Sequence, residues 1–405
     1  MSWWSAASQD GRRALIAASL GWMLDAMDVL IYSLVLNDVR REFGIDDRAS
    51  GILLALPLAT SAFGGMFFGW LADRFGRTRA LMASILWYSI FTAACGLSQT
   101  VFQLGMFRAL LGFGFGGEWA IGAALVAETW PAEHRGKALG FMQSAWAVGY
   151  AAASLVTAIV LPRWGWRAVF FAGILPALAT VWIRRSVAES RIWRESRTAG
   201  PNRVTLAALV RGELGRLTWL VAAMNAATMF AWWGLFTWIP SFLGRPVEEG
   251  GAGLSILRTS TWIILMQVGM WLGYVTFGFI ADWIGRKRSY VAYLLTAAVL
   301  VPIYGATREP AALLALGPLV AFFGTGYFSG FGAVSAELFP TSIRATAQGI
   351  TYNLGRGISA VAPFVVGSLA TSRGLGAAFS ITSTAFLVAA VCWIWIPETK
   401  GRALS

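Results

Sequence analysis

Charge is what this chain has least of. Only 13% of its 405 residues are Asp, Glu, Lys or Arg, about half the roughly 25% that a soluble domain carries. Histidine occurs once, at His134 in a polar loop, which excludes a His-based metal site or proton relay within an apolar segment. The two cysteines, Cys95 and Cys392, stand apart in separate apolar runs and form neither a disulfide framework nor a thiolate metal site. No phosphate-cradling Gly-x-x-x-x-Gly-Lys loop is present, so ATP is not the energy source. No nucleophile–base pair has a sequence context worth naming, and neither an enzyme nor a bound cofactor is expected. The first residues lack a small-residue cleavage site, so no removable signal is expected.

What is abundant is apolar. Hydrophobic residues make up 57% of the chain, joined by 45 Gly and including 21 Trp. One or two soluble domains could not bury that much apolar surface, so the expected class is an all-α protein embedded in the lipid bilayer. With a ruler of about 20 residues per crossing, twelve transmembrane helices are expected, at roughly 14–37, 50–71, 80–99, 101–127, 138–162 and 167–184, then roughly 217–243, 259–281, 289–307, 311–337, 345–371 and 374–396. The net charge of +12 would point to nucleic acid in a soluble protein, but here the basic residues lie in short loops and read as topology signals. Of the 32 Lys and Arg, 21 fall on the side that holds both termini, nine on the other, and two (Arg108 and Arg356) within spans. That bias places both termini in the cytoplasm of a plasma (inner) membrane protein. The polar stretch 185–216 divides the spans into an N-terminal bundle, 1–184, and a C-terminal bundle, 217–405, and reads as a cytoplasmic linker.

The chain also repeats itself. Gly69-Trp-Leu-Ala-Asp73-Arg-Phe-Gly76-Arg77-Thr-Arg79 follows the second span, and Gly278-Phe-Ile-Ala-Asp282-Trp-Ile-Gly285-Arg286-Lys-Arg288 stands 209 residues later. The same separation carries Glu128, Pro131, Arg135 and Gly140 onto Glu337, Pro340, Arg344 and Gly349. Two motifs sharing one gapless offset indicate a duplicated six-helix unit, as expected of two transporter halves around a central cavity.

These loops resemble the signature of major facilitator transporters, and Arg108-x-x-Leu-Gly112-x-Gly114-x-Gly116-Gly117-Glu118 resembles that superfamily's fourth-helix motif. The same glycines match a dinucleotide pattern, but within a span they serve close helix packing. Asp25-Ala-Met-Asp28, Gly116-Gly-Glu118-Trp with Glu128-Thr-Trp-Pro131, and Tyr352-Asn353-Leu-Gly355-Arg356 are together most similar to the sialate:proton symporter family, which includes sialic acid carriers and carboxylate permeases. The seventh span, Asn225-Ala-Ala-Thr228, lacks the His-containing signature of fungal lactate permeases. The resemblance implies a major facilitator fold of two pseudo-symmetric six-helix bundles and secondary transport.

An ionisable side chain inside a span costs at least about 2.5–3.5 kcal/mol and is a functional candidate for that reason. Asp28, near the middle of the first span, and Arg108, in the fourth, are expected to form a proton-coupling ion pair, with Asp25 and Glu118 as further protonatable groups. Arg356, a cation at the centre of the eleventh span, presents a fork that fits a carboxylate. Asn353, one turn earlier, can share that ligand, and Tyr327, Gln143, Trp146, Tyr150, Gln267 and Asn225 are expected cavity-lining groups. Asp73, Arg77, Glu128 and Arg135, with Asp282, Arg286, Glu337 and Arg344, are expected to form ion-pair networks at the cytoplasmic rim that hold one state and break on rocking. The function expected is proton-coupled import of a small organic anion by a monomer, with a facilitator-fold exchanger or exporter as the alternative. The absence of a Gly-Pro motif from Gln143-Ser-Ala-Trp-Ala-Val-Gly-Tyr150 favours symport.

Overall fold

Four of the long helices begin where a serine, threonine or aspartate side chain supplies a cap. Ser8, Asp46, Thr100 and Ser255 accept from backbone N–H groups three residues on, at 2.8–3.4 Å, and so satisfy donors that a helix start leaves open. The computed structural model describes residues 4–131, 134–189, 211–339 and 344–400. The first half contains α1 (Gln9–Phe43), α2 (Asp47–Phe75), α3 (Arg77–Cys95), α4 (Val101–Thr129), α5 (Arg135–Phe171) and α6 (Leu175–Ser186). The second contains α7 (Gly212–Phe236), α8 (Ile239–Gly244), α9 (Ile256–Ile284), α10 (Arg286–Ala306), α11 (Pro310–Thr325), α12 (Phe331–Leu338), α13 (Arg344–Ser359), α14 (Ala362–Arg373) and α15 (Leu375–Cys392).

Among the described residues, ten helical stretches are long and apolar enough to cross a membrane. One of them, Gly136–Ile183, has 48 residues, and at 1.5 Å per residue it far exceeds a hydrocarbon core of about 30 Å. Gly165 breaks it with φ 75°, between the expected fifth and sixth spans. The helix Arg77–Cys95 supplies the remaining crossing, being 19 residues long but less apolar. Three expected single spans in the second half are each interrupted: α7 gives way to α8 before Pro240, α11 to α12 through a 3-10 turn at Gly326–Gly330, and α13 to α14 before Pro363. Discontinuous helices of this kind build the binding sites of transporters.

Within the halves, α2 packs along α4, α1 along α5, α9 along α11 and α10 along α15; between them, α5 meets α9 and α2 meets α13 and α14. The repeated loop glycines have a physical cause. Gly76 and Gly285 sit at φ 111° and 104°, a region that costs any side chain dearly. The α2–α4 contact depends on a second kind of glycine, since a Cβ on Gly116 would lie 1.9 Å from the Ser61 carbonyl oxygen. That neighbour is backbone and cannot swing away. Gly116→Ala is therefore expected to lower stability by at least about 1–3 kcal/mol, read as a reduced thermal unfolding midpoint in detergent; an unchanged midpoint would rule out this close approach.

Candidate functional site

The only arginine besides Arg108 within the expected spans, Arg356, comes to lie between the halves. It is carried by α13, is 3% exposed, and its guanidinium stands 3.9 Å above the ring of Phe115 on α4. Among the described residues it makes no salt bridge. It borders a small cavity lined by Trp22, Gln143 and Trp146 from the first half and by Met229, Trp232, Trp233, Tyr274, Phe328 and Tyr352 from the second. The indoles interlock: Trp146 lies 4.5 Å from Trp22 and 5.7 and 5.9 Å, edge-on, from Trp232 and Trp233. Beside the cavity, Trp119 of α4 stacks on Tyr352 of α13 at 4.0 Å and 10°, and donates its indole N–H to Gln143 at 3.1 Å. Aromatic contacts between the halves thus pack around the cavity. A lone fork-shaped cation walled by ring faces can hold a flat carboxylate, the fork taking the oxygens and the rings the body.

Two carboxylates stand beside this cation. Glu118 crosses α1 at Gly21, where a Cβ would lie 2.3 Å from the Glu118 carboxylate oxygen, and Asp25 is one turn along the same face of α1. Both are buried, and each interacts electrostatically with Arg356 and with the other. Neither Glu118 oxygen has a hydrogen-bond partner among the described residues.

The expected Asp28–Arg108 pair is not brought together. Arg108 donates Nε–H to the Leu53 carbonyl at 2.7 Å and lies 4.0 Å over the ring of Tyr32. Asp28 faces Thr92 of α3 and the turn after α5, with Oδ1 3.2 Å from a Cβ position on Gly173. Pro57 explains the choice. It lacks the N–H that would bond Leu53, four residues back, and Arg108 supplies a donor to the freed carbonyl. The same logic places Tyr150, whose hydroxyl donates at 3.0 Å to the Phe236 carbonyl, released by Pro240 across the seam between halves. Ser383 does likewise for Ala298, four residues before Pro302.

Other expected lining groups lie elsewhere. Asn353 faces Gly65 of α2, its Oδ1 3.5 Å from a Cβ position there. Asn225 donates to the Thr351 carbonyl at 3.4 Å, Tyr327 is buried against Phe328 and Tyr290, and Gln267 donates to Ile263 in its own helix. Gln143 and Trp146 do line the cavity. Trp22, Trp232, Trp233 and Tyr274 escaped the sequence reading because nothing in their type separates a cavity ring from an interface anchor.

At the end of each half where α2 meets α3 and α9 meets α10, the repeated motif forms a network. Arg77 meets Glu128 at 3.3 Å and Arg286 meets Glu337 at 3.1 Å, and Arg286 also pairs with Asp282. The side chains of Asp73, Arg135 and Arg344 lie outside the described residues. A third partner was missed. Glu189 accepts from the N–H groups of Arg77 and Thr78 at 2.9 and 3.2 Å, and Glu398 accepts from those of Arg286 and Lys287 at the same distances. These two glutamates are themselves 209 residues apart, so the repeat offset could have found them. Partial burial acts to raise the Glu398 carboxyl, but the N–H groups of Lys400, Arg286, Lys287 and Thr399 hold it below the usual carboxylate range, so it caps α10 as an anion.

Comparison with known proteins identifies the family and the fold. The Major Facilitator Superfamily profile matches residues 17–274 and 249–405. A cis,cis-muconate transport protein of Acinetobacter baylyi is 32% identical over 93% of this chain and 92% of its own. The sialic acid transporter NanX of Escherichia coli is 28% identical over 95% and 94%. Among solved structures, a D-xylose–proton symporter superposes with a TM-score of 0.75 over 97% of this chain and 99% of that one, at 21% identity.

Proposed function

The chain belongs to the Major Facilitator Superfamily, and from that premise we propose that it imports a small, flat organic acid together with a proton by alternating access. It is a multi-pass membrane transporter rather than an enzyme. The observation that carries the proposal is Arg356, a buried cation without an ion pair among the described residues, set in a cavity of ring faces at the seam of the two halves. Asp25 and Glu118 act on this charge electrostatically but form no ion pair with it, which leaves its fork open to a substrate carboxylate.

The wall chemistry narrows the class. Around Arg356 stand four indoles and three further aromatic rings, with Gln143, Tyr274, Tyr352 and the indole N–H groups of Trp22, Trp146 and Trp232 as uncharged hydrogen-bonding groups. A polyhydroxylated acid such as sialic acid would leave many hydroxyls unmatched against such walls, at a cost for each. A conjugated or aromatic acid, of the kind to which cis,cis-muconate belongs, matches them. Asp25 and Glu118 are the proposed proton carriers, because they share the field of Arg356. Asp28 also acts on Asp25 electrostatically but faces α3, and Arg108 donates to the Leu53 carbonyl. We further propose an inner-membrane location with both termini cytoplasmic, following the bias of basic residues, and two halves, 1–184 and 217–405, joined through 185–216.

The test is a proteoliposome assay. External pH is followed as cis,cis-muconate, benzoate or sialic acid is added, with empty liposomes subtracted. Alkalinisation by muconate or benzoate and none by sialic acid is the expected result. Alkalinisation by sialic acid alone would overturn the substrate class while leaving symport in place. If no acid moved protons while labelled acid still exchanged, the exchanger would take first rank.

A further inference from the structure

The end of the bundle opposite Arg77 and Arg286 carries a second charged cluster, and it lies across the seam. Arg245, which follows α8, donates to both carboxylate oxygens of Asp47 at the start of α2, Nη1 to Oδ2 at 2.9 Å and Nη2 to Oδ1 at 2.7 Å. The two side chains are only 4% and 7% exposed. Arg40, near the end of α1, approaches the same carboxylate at 3.2 Å, and Glu249 acts on Arg40 electrostatically from the second half. One turn deeper, Ser241 donates its hydroxyl to Asn37 Oδ1 at 2.6 Å, and Asn37 Nδ2 donates back to the Ser241 carbonyl at 3.3 Å. The segment that presents Arg245 is itself fixed: Gly253 N–H donates to the Arg245 carbonyl at 2.8 Å, and Ala252 and Leu254 N–H groups donate to Phe242 and Leu243 at 2.8 and 2.9 Å.

We propose that Asp47 and Arg245 are the outer gate of the transport cycle, closed in this structure, with Asn37 and Ser241 as its inner rung. The proposal rests on the transport reading above for its direction, outside to inside. A buried, bidentate ion pair adds little net stability, because the cost of drying both ions nearly cancels their attraction. That makes it suited to a seam that must open repeatedly, since separation of the halves returns both ions to water. Removing one partner is different, for it leaves a charge buried and unmatched in the closed state. The two removals are not equivalent. Without its charge, Asp47 leaves Arg245 and Arg40 as neighbouring cations; without Arg245, Asp47 still has Arg40.

The experiment reads opening directly. Cys95 and Cys392 are replaced by serine, and Ser33→Cys is introduced one turn inward of Asn37 on the same face of α1, where Ser33 is 1% exposed. Alkylation by a membrane-impermeant maleimide is timed in intact cells. Asp47→Asn is expected to speed labelling by about tenfold or more, through its shift of the open population, and Arg245→Gln by less. Adding Arg245→Gln to Asp47→Asn is expected to slow labelling again, because one of two unmatched cations is gone. Labelling at the parental rate in every variant overturns the gate. Equally fast labelling in the single and double variants also overturns it, as that is the pattern of a seam whose packing has been lost. Labelling needs no substrate, so a chain that moves none of the tested acids yet shows the expected order keeps its gate and loses the transport reading.

Discussion

Replacing Arg356 with alanine should abolish uptake and weaken substrate binding by about a hundredfold or more, since two hydrogen bonds to charged groups are each worth about 1.5–3 kcal/mol. Arg356→Lys keeps the charge and should still weaken binding by about tenfold, because an ammonium is a point charge without a fork. The difference between the two variants separates charge from geometry. A guanidinium can lie 3.9 Å over Phe115 and still present two parallel N–H groups to an anion, which a lysine cannot do. The measurement is substrate-induced quenching of tryptophan fluorescence in detergent, for which Trp22, Trp146, Trp232 and Trp233 are built-in probes around the cavity. An alanine variant that binds with the parental affinity would mean that the anion never reaches this cation. A lysine variant indistinguishable from alanine would mean that the fork carries the whole interaction.

Arg356 was legible in the sequence because a fixed charge inside an apolar run is conspicuous and has few cheap explanations. The fold was legible for related reasons. Apolar runs of about 20 residues mark crossings, and the loop glycines repeat because Gly76 and Gly285 occupy the same left-handed conformation in both halves. The pairs Arg77–Glu128 and Arg286–Glu337 followed from one offset. What stayed hidden shares one property, namely that the decisive partner is not a side chain or not nearby in the chain. Arg108 and Tyr150 bind carbonyls freed by Pro57 and Pro240, and a search for ionisable partners has no term for a backbone acceptor. Asp47 and Arg245 are 198 residues apart in loops whose charges otherwise serve only topology. Glu189 was passed over because it sits at the edge of a polar stretch that reads as linker.

Neutralising Asp25 and Glu118 together should uncouple transport, whereas neutralising either alone should not. The reason is a charge count in a site that disfavours any unbalanced charge. Arg356 contributes one positive charge and the two carboxylates two negative ones, so a single shared proton makes the empty site neutral. A monoanion on Arg356 adds a negative charge, and neutrality then requires one more proton. Anion and proton therefore enter and leave as a pair. In Asp25→Asn or Glu118→Gln one carboxylate remains, charged when the site is empty and protonated when it is full, so one proton still accompanies each monoanion. In the double variant nothing is left to titrate, and the anion alone balances Arg356. Measured in proteoliposomes with an alkaline interior, the parent and both single variants should accumulate a labelled monocarboxylate about tenfold per pH unit of gradient. The double variant should exchange acid across the membrane yet accumulate it no more than its medium. Asp28→Asn should behave like the parent, because Asp28 faces α3 and Gly173 rather than Arg356. Gradient-driven accumulation by the double variant would remove the proton from this pair altogether. Loss of accumulation in Asp28→Asn alone would return the proton to the residue that the sequence favoured, and would require a path from Asp28 to the cavity that bypasses Arg108, whose Nε is committed to the Leu53 carbonyl.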